Sequence, residues 1–235
     1  MKKTAYILAL ALLSFALSAQ KRTVQNQPYA DFKLYHFGFH VGLHTQDLIL
    51  TNNGLPTEDG TTRWFAEIPS YSPGFSVGVI GDLFLNPYMN LRLTPTIHFG
   101  DKVVHFISTG SLQDEKRISI RSNYIDMPLS VKIQSMRLNN YRPYITGGVY
   151  GALELGRKTG TLLLFNTMDY GLEFGVGCTV YMPFFRLAPE IKFKFGMADL
   201  LEKKRDDLTN DADRVFTNAL SKATSRMIVF TFNFE

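Results

Sequence analysis

The sequence contains one cysteine, Cys178, and one tryptophan, and it has no long apolar run. A single cysteine excludes an intrachain disulfide framework. A membrane-spanning helix needs about 18 or more consecutive apolar residues, and no stretch reaches that length, so a helical membrane protein is excluded. The 25 Lys and Arg residues are spread along the chain, so the sequence lacks the concentrated basic patch typical of nucleic-acid binding.

Motifs that carry chemistry are also scarce. The segment 74–78 (GFSVG) matches the G-x-S-x-G pattern of serine hydrolases. That pattern marks a nucleophile only at a strand–turn–helix elbow, and here it continues as a strand. His36, His40 and His44 recur every four residues, about 13 Å apart along a strand, which is too far to share one metal ion. We therefore expect no catalytic residues, no metal site and no cofactor.

The N-terminus has the pattern of an export signal. Lys2-Lys3 precedes a short apolar run, Tyr6 to Leu17, and the small residues Ser18-Ala19 follow. This arrangement predicts a cleaved signal peptide over residues 1–19. A polar leader then occupies residues 20–35, which we expect to lie in the periplasm.

After the leader, apolar residues alternate with polar or small ones. Phe37, Phe39, Val41 and Leu43 share one face of the first segment, and Gly38, His40, Gly42 and His44 share the other. A period of two predicts a β-strand. The same alternation recurs in seven further segments: 75–83, 91–99, 125–133, 145–155, 172–180, 187–195 and 228–234.

Charged residues fall on the face opposite the apolar one. A soluble sandwich would turn its charges to water, whereas a membrane barrel turns apolar residues to lipid and polar ones inward. The signal peptide and the 19 Phe residues favour the membrane. We expect a lumen polar network formed by Arg92, Asp126, Lys132, Glu154, Glu173, Glu190, Lys192 and Lys194.

The connections between these segments alternate in length. The short ones are 85–90, 135–142 and 182–184, and the long ones are roughly 46–73, 101–120, 157–168 and 197–224. Short turns at one end and long loops at the other are typical of outer-membrane barrels.

The sequence therefore predicts an all-β fold, an up-and-down, eight-stranded antiparallel transmembrane β-barrel over residues 36–235. Its turns and both termini are expected in the periplasm and its long loops outside. Apolar residues at helical spacing predict that the loop 197–224 is partly helical. Eight strands leave a lumen that side chains can fill, so we expect a packed interior rather than a conducting pore.

Several motifs resemble those of known proteins. Asn123–Leu129, Arg142–Gly148 and Gly171–Gly177 resemble segments of the small outer-membrane β-barrel proteins of the Bacteroidetes. A closer resemblance, over essentially the whole mature chain, is to the PorT family of type IX secretion system components. It is carried by His36–Phe39, Pro73–Leu83, Asn90–Pro95 and Phe99-Gly100.

The resemblance implies a non-enzymatic, accessory role in exporting proteins that carry C-terminal sorting domains, such as proteases and adhesins. The implied partners are outer-membrane lipid and other type IX secretion components, with no nucleic acid and no small-molecule substrate. Two alternatives remain open from the residues: a generic structural or adhesion barrel, and a barrel enzyme that modifies lipid A.

The predicted architecture can be checked by electrophoresis. Folded outer-membrane barrels resist SDS at room temperature and change mobility on boiling, so we expect a boiling-dependent shift of the membrane-extracted protein. Recovery of the protein in the soluble fraction, with equal mobility before and after boiling, would contradict the membrane barrel.

Overall fold

The computed structural model describes residues 25–53, 64–67, 72–108, 115–155, 165–202 and 220–235. These residues form ten β-strands and one short 3-10 turn, Ala30–Phe32. The strands are β1 (Tyr35–Asn52), β2 (Trp64–Glu67), β3 (Ser72–Asn86), β4 (Met89–Leu93), β5 (Thr96–Ser108), β6 (Glu115–Gln134), β7 (Tyr141–Leu155), β8 (Met168–Tyr181), β9 (Arg186–Gly196) and β10 (Leu220–Phe234). Within the described ranges, no helix is long and apolar enough to cross a membrane.

The strands close into an antiparallel ring. β1 pairs with β10 on one side and with β3 on the other, and pairing continues through β9, β8, β7 and β6 to β5 and β4. β4 and β5 are two parts of one barrel strand, because both pair with β3 and with β6. β2 pairs with the far end of β5, beyond the part of β5 that pairs with β3. The predicted ring of eight strands is confirmed.

The interruption between β4 and β5 lies at Pro95, which has no N–H to donate. The Pro95 carbonyl still accepts from the Val79 N–H at 3.1 Å, and the Thr94 N–H donates to the Pro128 carbonyl at 3.2 Å. The hydrogen-bond ladder therefore continues past the interruption, and the ring stays closed.

Side-chain exposure follows the predicted alternation. Outward residues such as Phe37 (77% exposed) and Phe174 (52%) form an apolar surface around the ring. Inward residues such as Ser76 (1%), Asp126 (0%) and Thr146 (1%) are buried. Apolar residues thus lie outside and polar ones inside, the reverse of a water-soluble domain.

Several strands are longer than the sequence predicts. β1 continues to Asn52, β5 continues to Ser108, β6 begins at Glu115, and β10 begins at Leu220. The predicted connections 46–73, 101–120 and 197–224 are therefore too long, and the first of them contains β2. The physical reason is that strands keep pairing beyond the apolar surface, where alternation is lost. Gln46, Asp47 and Leu48, for example, are consecutive and all buried.

Some predictions fall outside the described residues. They are the signal peptide over 1–19, the first part of the leader, and the helical character of 203–219. The described parts of that last connection, 197–202 and 220–224, contain no helix.

Inward glycines make room for large inward neighbours. His40 and His44 face Gly78 and Gly74 across the β1–β3 ladder, and Tyr144 faces Gly177 across β7–β8. A Cβ on Gly78 would lie 2.4 Å from the His40 ring and 2.4 Å from the Pro95 carbonyl oxygen. The segment 74–78 is thus part of strand β3, and its two glycines make room for two histidines. This packing explains the G-x-S-x-G pattern, so the pattern does not indicate a serine nucleophile.

Gly78→Ala should destabilise the barrel by about 1–3 kcal/mol, because the new methyl group meets both a buried ring and a backbone carbonyl. Gly151→Ala is the matched control, since nothing lies within 4 Å of the position its Cβ would take. The control should change stability by less than about 0.5 kcal/mol. Urea unfolding in lipid vesicles, followed by gel mobility, measures both, and equal stability of the two variants would contradict the packing argument.

Candidate functional site: a charged lumen and its two ends

A fully buried ion pair in the lumen joins neighbouring strands. Arg92 on β4 and Asp82 on β3 are cross-strand partners, and the Arg92 Nε and one terminal nitrogen donate to the two Asp82 oxygens at 2.7 Å each. Arg92 also pairs with the Glu235 side chain and lies 3.9 Å from Glu190. Its guanidinium, 0% exposed, therefore has carboxylates on several sides, as a buried charge requires.

Glu235 extends this cluster toward the short-turn end. Its carboxylate lies 3.1 Å from a terminal nitrogen of Arg186 and 3.7 Å from the Lys132 Nζ. The Arg186 and Glu235 backbones also exchange hydrogen bonds at 2.8 and 3.0 Å. This one side chain thus connects the end of β10 with cations on β4, β6 and β9.

Glu190 is satisfied chiefly by neutral donors. Its carboxylate accepts from the Thr146 hydroxyl at 2.7 Å, the Asn233 amide at 2.9 Å and the Tyr144 hydroxyl at 3.3 Å. The Lys132 ammonium lies 4.3 Å from the centre of the Tyr144 ring, a cation–π distance.

A second cluster lies further along the lumen, around Lys194. Its ammonium pairs with Asp126 and lies 3.6 Å from Glu173, which is also 3.7 Å from the Lys192 Nζ. The His98 Nε2 lies 3.2 Å from Asp126. Cations and carboxylates therefore alternate along the barrel interior.

The residues that the sequence places in the polar network have different positions. Seven are buried in the lumen: Arg92, Asp126, Lys132, Glu173, Glu190, Lys192 and Lys194. Glu154 is half-exposed and instead lines a cavity near the long-loop end.

Sequence reasoning missed several members of the network. Glu235 lies two residues beyond the inward Asn233, and Arg186 lies four before the inward Glu190, so the period of two already places both inside. The period of two also places Asp82 on the same face of β3 as the inward Ser76, but its pairing with Arg92 depends on strand register. The position of a residue on a face is visible in the sequence, whereas its partner across the barrel is not.

A segment of the leader lies across the short-turn end. We call residues Asn26–Leu34 the strap. Its Asp31 carboxylate is bound by four side chains, called here the arginine socket: Arg137, Arg142, Tyr181 and Arg186.

The strap is held by further hydrogen bonds to the turns. The Asn26 amide donates to the Tyr181 carbonyl at 2.9 Å, and the Gln27 amide donates to the Met182 carbonyl at 3.0 Å. At its other end, the Leu34 carbonyl accepts from the Phe84 N–H at 2.9 Å. The strap therefore covers the short-turn opening of the barrel.

The long-loop end is partly covered as well. Phe165 bridges to Leu201, and the Leu200 N–H donates to the Ala223 carbonyl at 2.8 Å. Leu200 lines a cavity of about 40 Å³ together with side chains from β1, β6 and β7. A cavity of this size holds a few water molecules.

Among the described residues, buried cations are accompanied by buried carboxylates, and the side chain of Glu235, 1% exposed, is counted with them. The cations are Arg92, Lys132, Arg142, Arg186, Lys192 and Lys194, and the anions are Asp47, Asp82, Asp126, Glu173, Glu190 and Glu235. Buried charges of both signs are thus close enough together to pair across the lumen.

The family model of the outer membrane protein beta-barrel domain matches residues 18–202, well over half of the chain. A search of curated proteins with this chain found no match. Among solved structures, OprG from Pseudomonas aeruginosa is 10% identical with a TM-score of 0.46, covering 84% of this chain and 93% of OprG. Neisserial surface protein A is 10% identical with a TM-score of 0.42, covering 86% and 98%. The outer membrane protein AlkL is 12% identical with a TM-score of 0.38, covering 92% and 91%.

Arg92→Met should destabilise the barrel by about 3–5 kcal/mol, because it leaves the buried Asp82 carboxylate without its counter-ion. Adding Asp82→Asn should recover part of this loss. Lys222→Gln is the control, since this side chain is exposed and should change stability by less than about 0.5 kcal/mol. Vesicle unfolding measures all three, and an Arg92→Met barrel as stable as the control would contradict the network.

Proposed function

Because the chain belongs to the outer membrane protein beta-barrel domain family, we propose that it is a plugged, non-enzymatic barrel that assists the type IX secretion system as an accessory component. The observation that carries the accessory role is the filled lumen. Side chains of opposite charge occupy the interior, and the strap lies across its short-turn end.

The barrel is too narrow to be the conduit for cargo. An eight-stranded ring has an interior just wide enough for its own side chains. Passage of a polypeptide would require buried pairs such as Arg92–Asp82 and Lys194–Asp126 to separate. Each separated charge would carry a desolvation cost of several kcal/mol. A role beside the conduit is therefore favoured.

The assignment to export is supported by the resemblance to the PorT family. Most of the residues that carry it lie on β1, β3, β4 and β5, which form part of the barrel wall. Among them are Gly74 and Gly78, which accommodate histidines, and the Asp82–Arg92 pair. The resemblance thus includes positions on which this barrel's packing depends.

The proposal includes an orientation. Outer-membrane barrels place short turns in the periplasm and long loops outside. The strap, on the short-turn side, would then face the periplasm, where cargo arrives. The long-loop end, including the paired β2 and β5, would face the cell exterior.

Deletion of the gene tests the proposal. Cargo proteins with C-terminal sorting domains should accumulate in the periplasm, and their amount at the cell surface should fall at least tenfold. Wild-type protein supplied from a plasmid should restore export, and so should the Gly151→Ala variant, which keeps the packing intact. Immunoblots of fractionated cells measure both pools.

Other outcomes of the deletion would assign a different function. Normal cargo at the surface, with altered adhesion, would contradict the export role and favour a structural or adhesion barrel. A changed mass spectrum of lipid A would favour a lipid-modifying enzyme.

A further inference from the structure

Contacts within the barrel hold much of the arginine socket in place. The Arg142 Nε donates to the Ser135 carbonyl at 2.8 Å, and one of its terminal nitrogens donates to the Pro87 carbonyl. The Arg137 Nε donates to the Asn139 carbonyl at 2.7 Å, and its terminal nitrogens donate to the Asn140 side chain at 3.0 Å and to the Asn26 and Gln27 carbonyls of the strap. Arg186 is held by Glu235. The barrel thus holds Arg142 and Arg186 without the strap and holds Arg137 in part, which reduces the entropic cost of binding a ligand.

The strap is held by polar contacts rather than by a core. Its 3-10 turn buries no residue, and its large side chains point away from the barrel, with Tyr29 80% and Phe32 69% exposed. Hydrogen bonds at a surface replace bonds to water and contribute little net stability, while ordering the segment has an entropic cost. A segment bound in this way exchanges more readily than one that buries apolar surface.

The socket carries more positive charge than the strap neutralises. Terminal nitrogens of Arg142, Arg137 and Arg186 lie 3.3, 3.8 and 4.0 Å from the Asp31 carboxylate. Glu235 is shared with the lumen cations Arg92 and Lys132. Asp31 is therefore a single carboxylate among three cations, and a more acidic ligand would match the socket better.

We propose that the arginine socket is a docking site for an acidic, extended segment of a partner protein, and that the strap is its resident occupant. The ligand chemistry follows from the contacts of the strap. A carboxylate binds the guanidinium groups and the Tyr181 hydroxyl, while two upstream amide side chains, Asn26 and Gln27, donate to the carbonyls of Tyr181 and Met182. The inference does not depend on the export role, because the contacts belong to the barrel whatever its cellular task.

A peptide-binding experiment on the full chain in zwitterionic nanodiscs tests the proposal. The probe is a fluorescent peptide of the strap sequence, residues 25–34, with blocked ends. The Asp31→Asn protein has a weakened strap and should bind this peptide at least tenfold more tightly than the wild type, whose own strap competes. Fluorescence anisotropy measures the affinity, which should fall as salt is added.

Matched variants identify the contact. The Asp31→Asn peptide should bind the Asp31→Asn protein at least tenfold more weakly, whereas the Tyr29→Ala peptide should bind as well as the original because Tyr29 points outward. Introducing Arg137→Gln into the Asp31→Asn protein should abolish binding of the strap peptide. Arg137 lies in a turn outside the strands, and a retained mobility shift on boiling would show that this double variant folds.

Three results would overturn the proposal. They are no binding of the strap peptide to the Asp31→Asn protein, equal binding of the peptide with and without the carboxylate, and complete loss of binding in anionic nanodiscs. The last result would assign the socket to lipid headgroups instead of a protein segment.

Discussion

Lipid offers no hydrogen-bond partner to the backbone, so each spanning strand must pair with both of its neighbours. Here that constraint closes the ring through β1, which joins β10 and β3. Pairing on both sides imposes a period of two on the side chains. Half of the side chains must point into the lumen of an eight-stranded barrel, and the other half must face lipid. The same pairing of strands therefore accounts both for the exposed Phe and Val residues and for the buried polar residues.

A narrow lumen restricts what these inward residues are. Large side chains need small ones opposite, as His40 needs Gly78 and Tyr144 needs Gly177. Charged side chains need counter-ions, because a buried ion without one is unstable. Arg92 and Lys194 each meet carboxylates from other strands. Because of side-chain packing and charge pairing, the barrel interior is a filled core, although it consists largely of polar and charged side chains.

The sequence predicts the parts of this structure that depend on local pattern. Alternation predicts the strands, the ring of eight and the face on which Asp126 or Lys132 lies. It does not predict partners, because a contact such as Arg92–Glu235 joins positions 143 residues apart and depends on register. It also fails where strands leave the apolar surface, since buried Leu48 follows buried Asp47 there. The strap was visible only as a polar leader, because its single important charge, Asp31, has no periodic context.

The lumen and the ends of the barrel differ in how easily they change. Moving a lumen side chain would leave a buried charge or a void, so the interior has one arrangement. The ends have no such constraint. β6 has 20 residues, roughly twice the 9–11 that cross a bilayer, so its first half projects beyond the lipid, where β5 and β6 pair with each other and β2 pairs with β5. At the opposite end the strap rests on hydrogen bonds and one carboxylate. Because these regions can rearrange without disturbing the lumen core, the barrel's capacity to change lies at its ends.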